Sequence, residues 1–197
     1  MIKAIIFDLG NVTINFDETP TFSRWSSSGN KPLSDVKRYY QQSSARKAFE
    51  RGEVTPEQFY KRYAQDLNLK INYRSFVENY CNIFTRNKEV EEIIKSLKGR
   101  YKLIALSNTN ALQYEHVKKR YKILDMFDEQ VLSYKEGIRK PNPGIFMKAV
   151  QKAGALPWNC AYFDDIPEFV WAARMLGIRA FQYRDVEKLK KNLKKVL

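Results

Sequence analysis

Short apolar runs alternate with segments of helical periodicity along the chain after residue 86, and one further apolar run lies at its start. An apolar run rich in β-branched residues is typical of a buried strand, and apolar residues spaced three and four apart are typical of one face of a helix. The pattern predicts strands at residues 5–7, 101–106, 130–133, 160–163 and 179–183, and helices at residues 89–97, 111–121, 144–153 and 167–176. This alternation indicates an α/β fold in which helices cover both faces of a parallel sheet.

Residues 15–85 follow a different pattern, without the runs that are typical of strands. Aromatic, Gln, Lys and Arg residues recur there at helical intervals, and Thr55 followed by Pro56 is typical of a helix N-cap with proline in the first turn. The expected helices span residues 19–27, 33–42, 56–67 and 73–84. We therefore predict an α/β core of residues 1–14 and 86–197, with an inserted all-helical cap of residues 15–85. Such a cap can close over the carboxyl edge of the sheet and exclude water.

Composition places the chain among folded proteins of ordinary domain size. Its 197 residues suffice for one domain with an insertion, and 44% hydrophobic residues allow a sizeable core. The apolar run at the N-terminus is too short for a signal peptide and meets Asp8 at once, and no stretch approaches the roughly 20 apolar residues of a membrane span. Cys81 and Cys160 lack motif spacing, which indicates buried thiols. We expect a cytoplasmic protein that does not associate with membranes.

The formal net charge of +13 favours anionic ligands in general. Much of the excess lies near the C-terminus, at Lys188, Lys190, Lys191, Lys194 and Lys195. Leu189, Leu193 and Val196 keep an apolar stripe through the same segment, so these lysines fit the solvated face of a terminal helix. The chain lacks zinc-finger spacing and RNP-like segments, and nucleic acid is therefore not the expected partner. No sequence pattern indicates an oligomeric state.

Polar residues follow the predicted strands at the points where they end. Asp8 follows the first strand, Ser107 and Asn108 follow strand 101–106, Lys140 lies beyond strand 130–133, and Asp164 and Asp165 follow strand 160–163. The carboxyl ends of parallel strands meet at one edge of a sheet, which is where ligands bind in open α/β folds. We therefore expect these side chains to lie close together.

The residue types at this edge suit phosphoryl transfer. Clustered carboxylates need a cation, and Mg²⁺ prefers carboxylate oxygens together with waters and a substrate phosphate. Lys140, just before helix 144–153, can supply a positive charge for phosphate oxygens. A carboxylate not used for the metal can attack phosphorus and form an aspartyl phosphate. A serine–histidine hydrolase is not indicated, because the only histidine, His116, falls inside helix 111–121.

Four segments in order resemble the four motifs of the haloacid dehalogenase-like hydrolase superfamily, and the likeness covers essentially the whole chain. They are Ile-Ile-Phe-Asp-Leu-Gly-Asn-Val at 5–12, Leu-Ser-Asn-Thr-Asn at 106–110, Arg-Lys-Pro-Asn-Pro at 139–143 with Ile145 and Phe146, and Tyr-Phe-Asp-Asp at 162–165. They look most like the branch that contains the bacterial α-glucose-1-phosphatase. The resemblance implies a Rossmann-like parallel core with a helical cap.

The resemblance also implies a role for each motif residue. Asp8 would be the nucleophile, Lys140 would neutralise charge on Asp8 and the phosphate, and Ser107 and Asn108 would contact the phosphoryl group. The implied activity is that of a phosphatase that hydrolyses a small phosphorylated metabolite, with a sugar phosphate as the expected class. The reaction would pass through an aspartyl phosphate that water then hydrolyses.

The same resemblance implies a Mg²⁺ site formed by Asp8, Asp164, Asp165 and the backbone carbonyl of Gly10. Gly10 is also the main departure from the superfamily, since most of its phosphatases carry there an aspartate that acts as general acid and base. General acid–base catalysis typically raises the reaction rate by about 10²–10⁴-fold. A good leaving group, such as an anomeric phosphate, needs less protonation, and Asp17 and Thr13 are candidates to replace the missing acid.

Two alternative functions remain open at this point. The first is a 2-haloacid dehalogenase, in which Asp8 attacks carbon without a metal and a second aspartate is likewise absent. The acidic pair Asp164 and Asp165 weighs against it, because these carboxylates would repel an anionic haloacid. The second is a catalytically weak protein that binds a phosphorylated ligand or nucleic acid. Candidates to face the site are Arg24, Trp25, Tyr39, Tyr40, Arg46, Glu50 and Arg51, of which Trp25 and the tyrosines fit the core of the cap better than a sugar-binding surface.

Overall fold

Strands and helices alternate through the computed structural model, which describes residues 1–197. The strands are β1 (Ala4–Phe7), β2 (Ile14–Phe16), β3 (Phe84–Arg86), β4 (Lys102–Ser107), β5 (Glu129–Leu132), β6 (Cys160–Asp164) and β7 (Arg179–Gln182). The helices are α1 (Thr19–Gly29), α2 (Leu33–Gln42), α3 (Ser44–Glu50), α4 (Pro56–Leu67), α5 (Tyr73–Cys81), α6 (Lys88–Leu97), α7 (Ala111–Arg120), α8 (Ser133–Glu136), α9 (Pro143–Ala153), α10 (Pro167–Met175) and α11 (Val186–Val196). Short 3-10 helices span Lys122–Met126 and Pro157–Asn159.

The main sheet has five parallel strands in the order β5-β4-β1-β6-β7, which confirms the predicted α/β fold. In this sheet Phe7 pairs with Ala105 of β4 and with Phe163 of β6. The three central strands therefore end at nearly the same level. The polar residues that follow them share one edge, as the sequence predicts.

Each face of the sheet is covered by its own hydrophobic cluster, because successive side chains of a strand point to opposite faces. Ile5 and Phe7 of β1 belong to the cluster that includes residues of α6, α7 and α11. Ala4 and Ile6 belong to the cluster that includes residues of α9 and α10. On α11, Leu189 and Leu193 are buried while the lysines are exposed, so this helix is amphipathic as predicted.

The helices α1 to α5 pack around a third hydrophobic cluster, which is rich in aromatic side chains. Trp25 is fully buried at its centre and stacks on Phe76 with ring centroids 5.1 Å apart. Thr55 forms a capping box with Gln58 at the start of α4, as its sequence position predicts. No helix of the protein is both long and apolar enough to cross a bilayer.

The short antiparallel pair of β2 and β3 was not predicted, and it places both ends of the segment 15–85, predicted to be all-helical, in strands. Helix 73–84 ends at Cys81, and Phe84 begins β3. The prediction of strand 130–133 is shifted by one residue, since Ser133 begins α8. Strands of three residues are too short to show a period of two in the sequence, and their pairing depends on contacts that are remote along the chain.

The turn after α3 packs closely against α8. Gly52 has a positive φ of 70°, and a Cβ atom at this position would collide with the backbone oxygen of Tyr134. Gly154 has a similar φ of 60°, but a Cβ atom there would have no neighbouring atom within 4 Å. The two glycines share the same backbone conformation and differ in how closely another segment approaches.

We expect Gly52→Ala to destabilise the protein more than Gly154→Ala. Both changes place a side chain in the left-handed region, at a cost of about 1–2 kcal/mol each. Only Gly52→Ala adds a steric collision with Tyr134, worth a further ~1–3 kcal/mol. Urea unfolding of both variants beside the parent protein measures the difference. Equal losses of stability would show that the turn can move away from Tyr134 freely.

Candidate active site

Asp8 lies immediately after β1, where a tight turn begins. Its backbone N–H donates to the carbonyl of Phe163, with an N···O distance of 2.9 Å. The hydroxyl of Thr13 donates to the carbonyl of Asp8 at 2.7 Å. The carboxylate of Asp8 is nearly buried, and these backbone bonds hold it at the edge of the sheet.

The ammonium group of Lys140 is buried between two carboxylates. Its Nζ lies 2.7 Å from Oδ1 of Asp8 and 2.6 Å from Oδ2 of Asp164, and 3.2 Å from both the Leu106 carbonyl and the Tyr162 hydroxyl. Burial alone lowers the pKa of Lys140, but the two carboxylates outweigh it and raise that pKa above its usual value. The lysine therefore stays charged.

The side chain of Asn108 forms two hydrogen bonds with the backbone of Lys140. Its Oδ1 accepts a hydrogen bond from the Lys140 N–H at 2.7 Å, and its Nδ2 donates to the Lys140 carbonyl at 3.0 Å. Ser107 is buried at the end of β4 and lines the neighbouring cavity. The resemblance to the family predicts that both residues contact a phosphoryl group. The structure shows in addition that Asn108 contacts the backbone of Lys140 and so orients the lysine.

Three carboxylates come together at this edge of the sheet. One oxygen each of Asp8, Asp164 and Asp165 lies within 4.8 Å of the others. Burial raises the pKa of Asp8 to about 7, although the adjacent Lys140 ammonium lowers it. Burial and the charge of Asp164 also raise the pKa of Asp165. Three acids with one lysine leave an excess of negative charge in a largely buried place.

The two acids of the pair Asp164 and Asp165 differ in their contacts. Oδ2 of Asp164 accepts from Lys140 and from the Tyr162 hydroxyl, and Oδ1 accepts from the N–H of Ile166 at 2.8 Å. No side chain donates to the carboxylate of Asp165, and no cation pairs with it. Asp165 is therefore the acid of the pair with more oxygen lone pairs free for a ligand.

Gly10 lies beside the nucleophile candidate and beneath an aromatic ring. A Cβ atom at Gly10 would be 3.9 Å from Oδ2 of Asp8 and 2.8 Å from Cε1 of Phe16. The Phe16 ring therefore fills the space that a larger residue at position 10 would need. Neither candidate for a replacement acid reaches this place freely, since Thr13 is bonded to the Asp8 carbonyl and Asp17 is exposed where it accepts from the Thr19 N–H.

A cavity of about 100 Å³ lies between this edge of the sheet and the helices α2 and α3. Gly10, Ser107 and Asn108 line the part nearest the carboxylates, although Asp8 itself is set back from the surface of the cavity. Side chains of β2, of the segment after it and of the helices line the rest, among them Phe16, Glu18, Tyr40, Arg46 and Glu50.

An ion-pair chain links helix α3 to the loop of Lys140. Arg46 and Arg139 both contact Glu50, with Nη1 of Arg46 at 3.0 Å from Oε1 and Nη2 of Arg139 at 2.7 Å from Oε2. The Arg46 guanidinium also lies over the Tyr40 ring, 4.7 Å from its centroid. A second contact joins α5 to the loop before α7, because the hydroxyl of Tyr80 accepts a hydrogen bond from Nδ2 of Asn110 at 3.0 Å.

The specificity candidates separate into two groups. Tyr40, Arg46 and Glu50 line the cavity. Outside it, Trp25 is buried in the aromatic cluster, and the other candidates make contacts elsewhere: Arg24 with Asn79, Tyr39 with Asp66, and Arg51 with Glu53.

Sequence reasoning missed Phe16, Glu18, Arg139 and Tyr162 as parts of the site. For Tyr162 a signal existed, since it lies two positions before Asp164 on the same strand and so on the same face. No sequence signal pointed to Phe16 or Glu18, because β2 was not predicted.

The chain belongs to the haloacid dehalogenase-like hydrolase family, whose sequence model it matches over residues 2–177. It is therefore a hydrolase of this family. Among similar proteins is a D-ribitol-5-phosphate phosphatase of Bacteroides thetaiotaomicron, 24% identical over 192 residues and covering 92% of each chain. A phosphatase of Mycobacterium tuberculosis is 22% identical over 193 residues, covering 91% of this chain and 86% of its own.

The fold also matches a solved structure of a family enzyme from Bacteroides thetaiotaomicron, in complex with magnesium and inorganic phosphate. The TM-score is 0.84 at 24% sequence identity, and the match covers 93% of this chain and 95% of that one. At this identity the comparison confirms the fold.

We expect Tyr162→Phe to destabilise the protein and Tyr63→Phe not to. Both tyrosines are fully buried, but only the Tyr162 hydroxyl has partners, namely Lys140 and Asp164. Removing a hydroxyl that is hydrogen-bonded to buried charged groups costs about 1–3 kcal/mol. Removing the Tyr63 hydroxyl takes away a polar group without a hydrogen-bond partner and should leave stability unchanged or raised. Urea unfolding measures both, and a neutral Tyr162→Phe would mean that the hydroxyl contributes nothing to the lysine site.

Proposed function

We propose that this protein is a Mg²⁺-dependent phosphatase that hydrolyses small phosphorylated metabolites, with sugar phosphates as the expected class, through an aspartyl phosphate on Asp8. One observation carries the proposal. Lys140 occupies Oδ1 of Asp8, while Oδ2 accepts no hydrogen bond and lies 3.9 Å from where a Cβ atom of the cavity-lining residue Gly10 would be. A carboxylate with one oxygen fixed and the other free beside a cavity is arranged as a nucleophile.

The donor set fits Mg²⁺. Three carboxylate oxygens within 4.8 Å of one another, with a single lysine to offset them, form a hard, anionic site of the kind that Mg²⁺ occupies. Asp8, Asp165 and the Gly10 carbonyl would hold the ion, with Asp164 beside them. When bound, the ion would offset the repulsion between these carboxylates and a substrate phosphate.

The chain's own residues account for the two steps of the reaction. Oδ2 of Asp8 forms a bond to phosphorus as the bond from phosphorus to the leaving oxygen breaks, and the released alkoxide takes its proton from water. Water then attacks the phosphorus of the acyl phosphate and restores the carboxylate. Lys140 and Ser107 lie where they can stabilise the phosphoryl oxygens in both steps.

We propose further that residues 15–85 act as a cap over an α/β core of residues 1–14 and 86–197. Contacts of Glu50 with Arg139, of Tyr80 with Asn110 and of the Gly52 turn with Tyr134 support a cap that is closed against the core. A closed cap separates the cavity from bulk water, which favours transfer from the acyl phosphate over side reactions.

The alternatives have less support. A haloacid carboxylate would approach a site with three carboxylates and one lysine whose ammonium is already shared by two of them. A protein that only binds phosphorylated ligands would not require the nucleophile, the lysine and both acids to be assembled together. Both named relatives are phosphatases.

We expect Asp8→Asn to abolish phosphate release and Asp17→Asn to leave it nearly unchanged. The first change removes the nucleophile, and the second alters an exposed acid that does not line the cavity. Inorganic phosphate released from a panel of phosphorylated metabolites, with and without Mg²⁺, is the measurement. Turnover that survives EDTA would contradict the metal assignment, and a fully active Asp8→Asn variant would contradict the mechanism.

We expect Mg²⁺ to raise the melting temperature of the protein, because a ligand that binds only the folded state stabilises it. Asp165→Asn should require at least about tenfold more Mg²⁺ for the same shift. Without the metal this variant should be no less stable than the parent, since burial and Asp164 disfavour the charged form of Asp165. Asp125→Asn, at an exposed acid, is the matched control. A Mg²⁺ response that is identical in all three proteins would place the ion elsewhere.

A further inference from the structure

We propose that the cavity beyond Gly10 and Ser107 binds an uncharged, polyhydroxylated leaving group, so that the enzyme selects monophosphates of sugars or polyols over substrates that carry a second anionic group. This inference rests on the proposed phosphatase function and adds to it a rule for the rest of the substrate. The cavity's size, its mixed lining and its balance of charge carry the inference.

The cavity accepts a small molecule only. Its volume of about 100 Å³ lies well below the roughly 300–1,000 Å³ of sites that take drug-sized ligands. Such a space suits a leaving group of the size of a small sugar or polyol better than a nucleoside. Gly10 and Ser107 line the part of the cavity nearest Asp8, so a leaving group bound in the cavity would extend from there toward the helices.

Two kinds of side chain line the cavity. Phe16 and Phe84 form an aromatic wall, with ring centroids 6.2 Å apart. Glu18, Arg46 and Glu50 supply charged groups, and Asn108 and Gln113 add amides. A sugar or polyol carries C–H surface for an aromatic wall and hydroxyls that each donate and accept hydrogen bonds. An alkyl chain would leave the polar groups unpaired.

The charges around the cavity cancel one another. The single carboxylate of Glu50 pairs with both Arg46 and Arg139, and the carboxylate of Glu18 lines the same cavity. Two guanidinium groups and two carboxylates leave no net positive charge for a second phosphate or a carboxylate. An extra anion would therefore enter beside two carboxylates with no unpaired cation to receive it, which opposes binding.

One donor of the cavity lacks an acceptor. Nε of Arg46 is buried and has no hydrogen-bond partner. Buried polar groups of proteins are nearly always paired, and Arg46 lines the cavity, so a ligand oxygen there would complete the hydrogen bonding of its guanidinium. A neutral hydroxyl oxygen satisfies this donor without disturbing the balance of charge.

Three matched six-carbon monoesters test the inference on the unmodified protein: glucitol 6-phosphate, 6-phosphogluconate and hexyl phosphate. All three release a primary alkoxide, so they differ in the far part of the molecule and not in the bond that breaks. Acetyl phosphate, which needs no recognition of a leaving group, reports the chemistry alone. The assays contain Mg²⁺ at pH 7.5, and kcat/KM is compared.

We expect kcat/KM for glucitol 6-phosphate to exceed the values for 6-phosphogluconate and for hexyl phosphate by at least about tenfold each. Equal values for either competitor would overturn the inference while leaving the phosphatase function intact. Activity on acetyl phosphate alone would do the same. A lack of activity on every compound, acetyl phosphate included, would contradict both the proposed function and the inference.

The charge rule has its own test in Glu18→Gln, which keeps the shape of the side chain and removes its charge. We expect this variant to reduce the preference for glucitol 6-phosphate over 6-phosphogluconate by about threefold or more, since one of the two repelling carboxylates is gone. Glu57→Gln, at an exposed acid of α4, should leave the preference unchanged. An unchanged preference in Glu18→Gln, with a melting temperature like that of the parent, would contradict the charge rule.

Discussion

The burial of the Lys140 ammonium between Asp8 and Asp164 is the interaction on which the rest of the site depends. Its Nζ contacts the ends of three neighbouring strands, through the Leu106 carbonyl of β4, Asp8 after β1 and Asp164 of β6. A charge buried this deeply is stable only when it is paired and hydrogen-bonded, and here every donor of the lysine has an acceptor. Because the lysine can offset only part of the charge of three acids, the same arrangement creates a place for a divalent cation.

Much of this site could be predicted from the sequence, because it follows from where the strands end. Asp8, Ser107 and the acidic pair lie together because parallel strands bring their carboxyl ends to one edge, whereas Lys140 reaches them from the loop between α8 and α9. The contacts of Asn108 with the Lys140 backbone could not be predicted, because they depend on how a loop lies against its neighbour. Glu18 and Phe16 were missed for a related reason, since β2 and β3 are too short to leave a pattern.

The position of Phe16, which the sequence did not connect with Gly10, bears on why residue 10 is a glycine. The Phe16 ring lies 2.8 Å from where a Cβ atom at position 10 would be, so a larger residue there would need this ring to shift. In the proposed mechanism no side chain at position 10 acts as general acid, and an aspartate there would require the ring to move. Leaving groups that depart without strong protonation suit such a site best.

Recognition and catalysis meet in one loop. Arg139 extends toward the cavity and pairs with Glu50, while the next residue, Lys140, extends the other way to the carboxylates. Asn108 fixes the backbone of Lys140 through both of its amide atoms, so the loop is held at its centre and on both sides. A ligand that contacts Glu50 or Arg46 therefore acts on the ion pair that anchors the residue next to Lys140. Because each guanidinium has Glu50 as its ion-pair partner, a second anion in the cavity would compete for those guanidinium groups and loosen the loop, whereas a hydroxyl would leave the pairs in place.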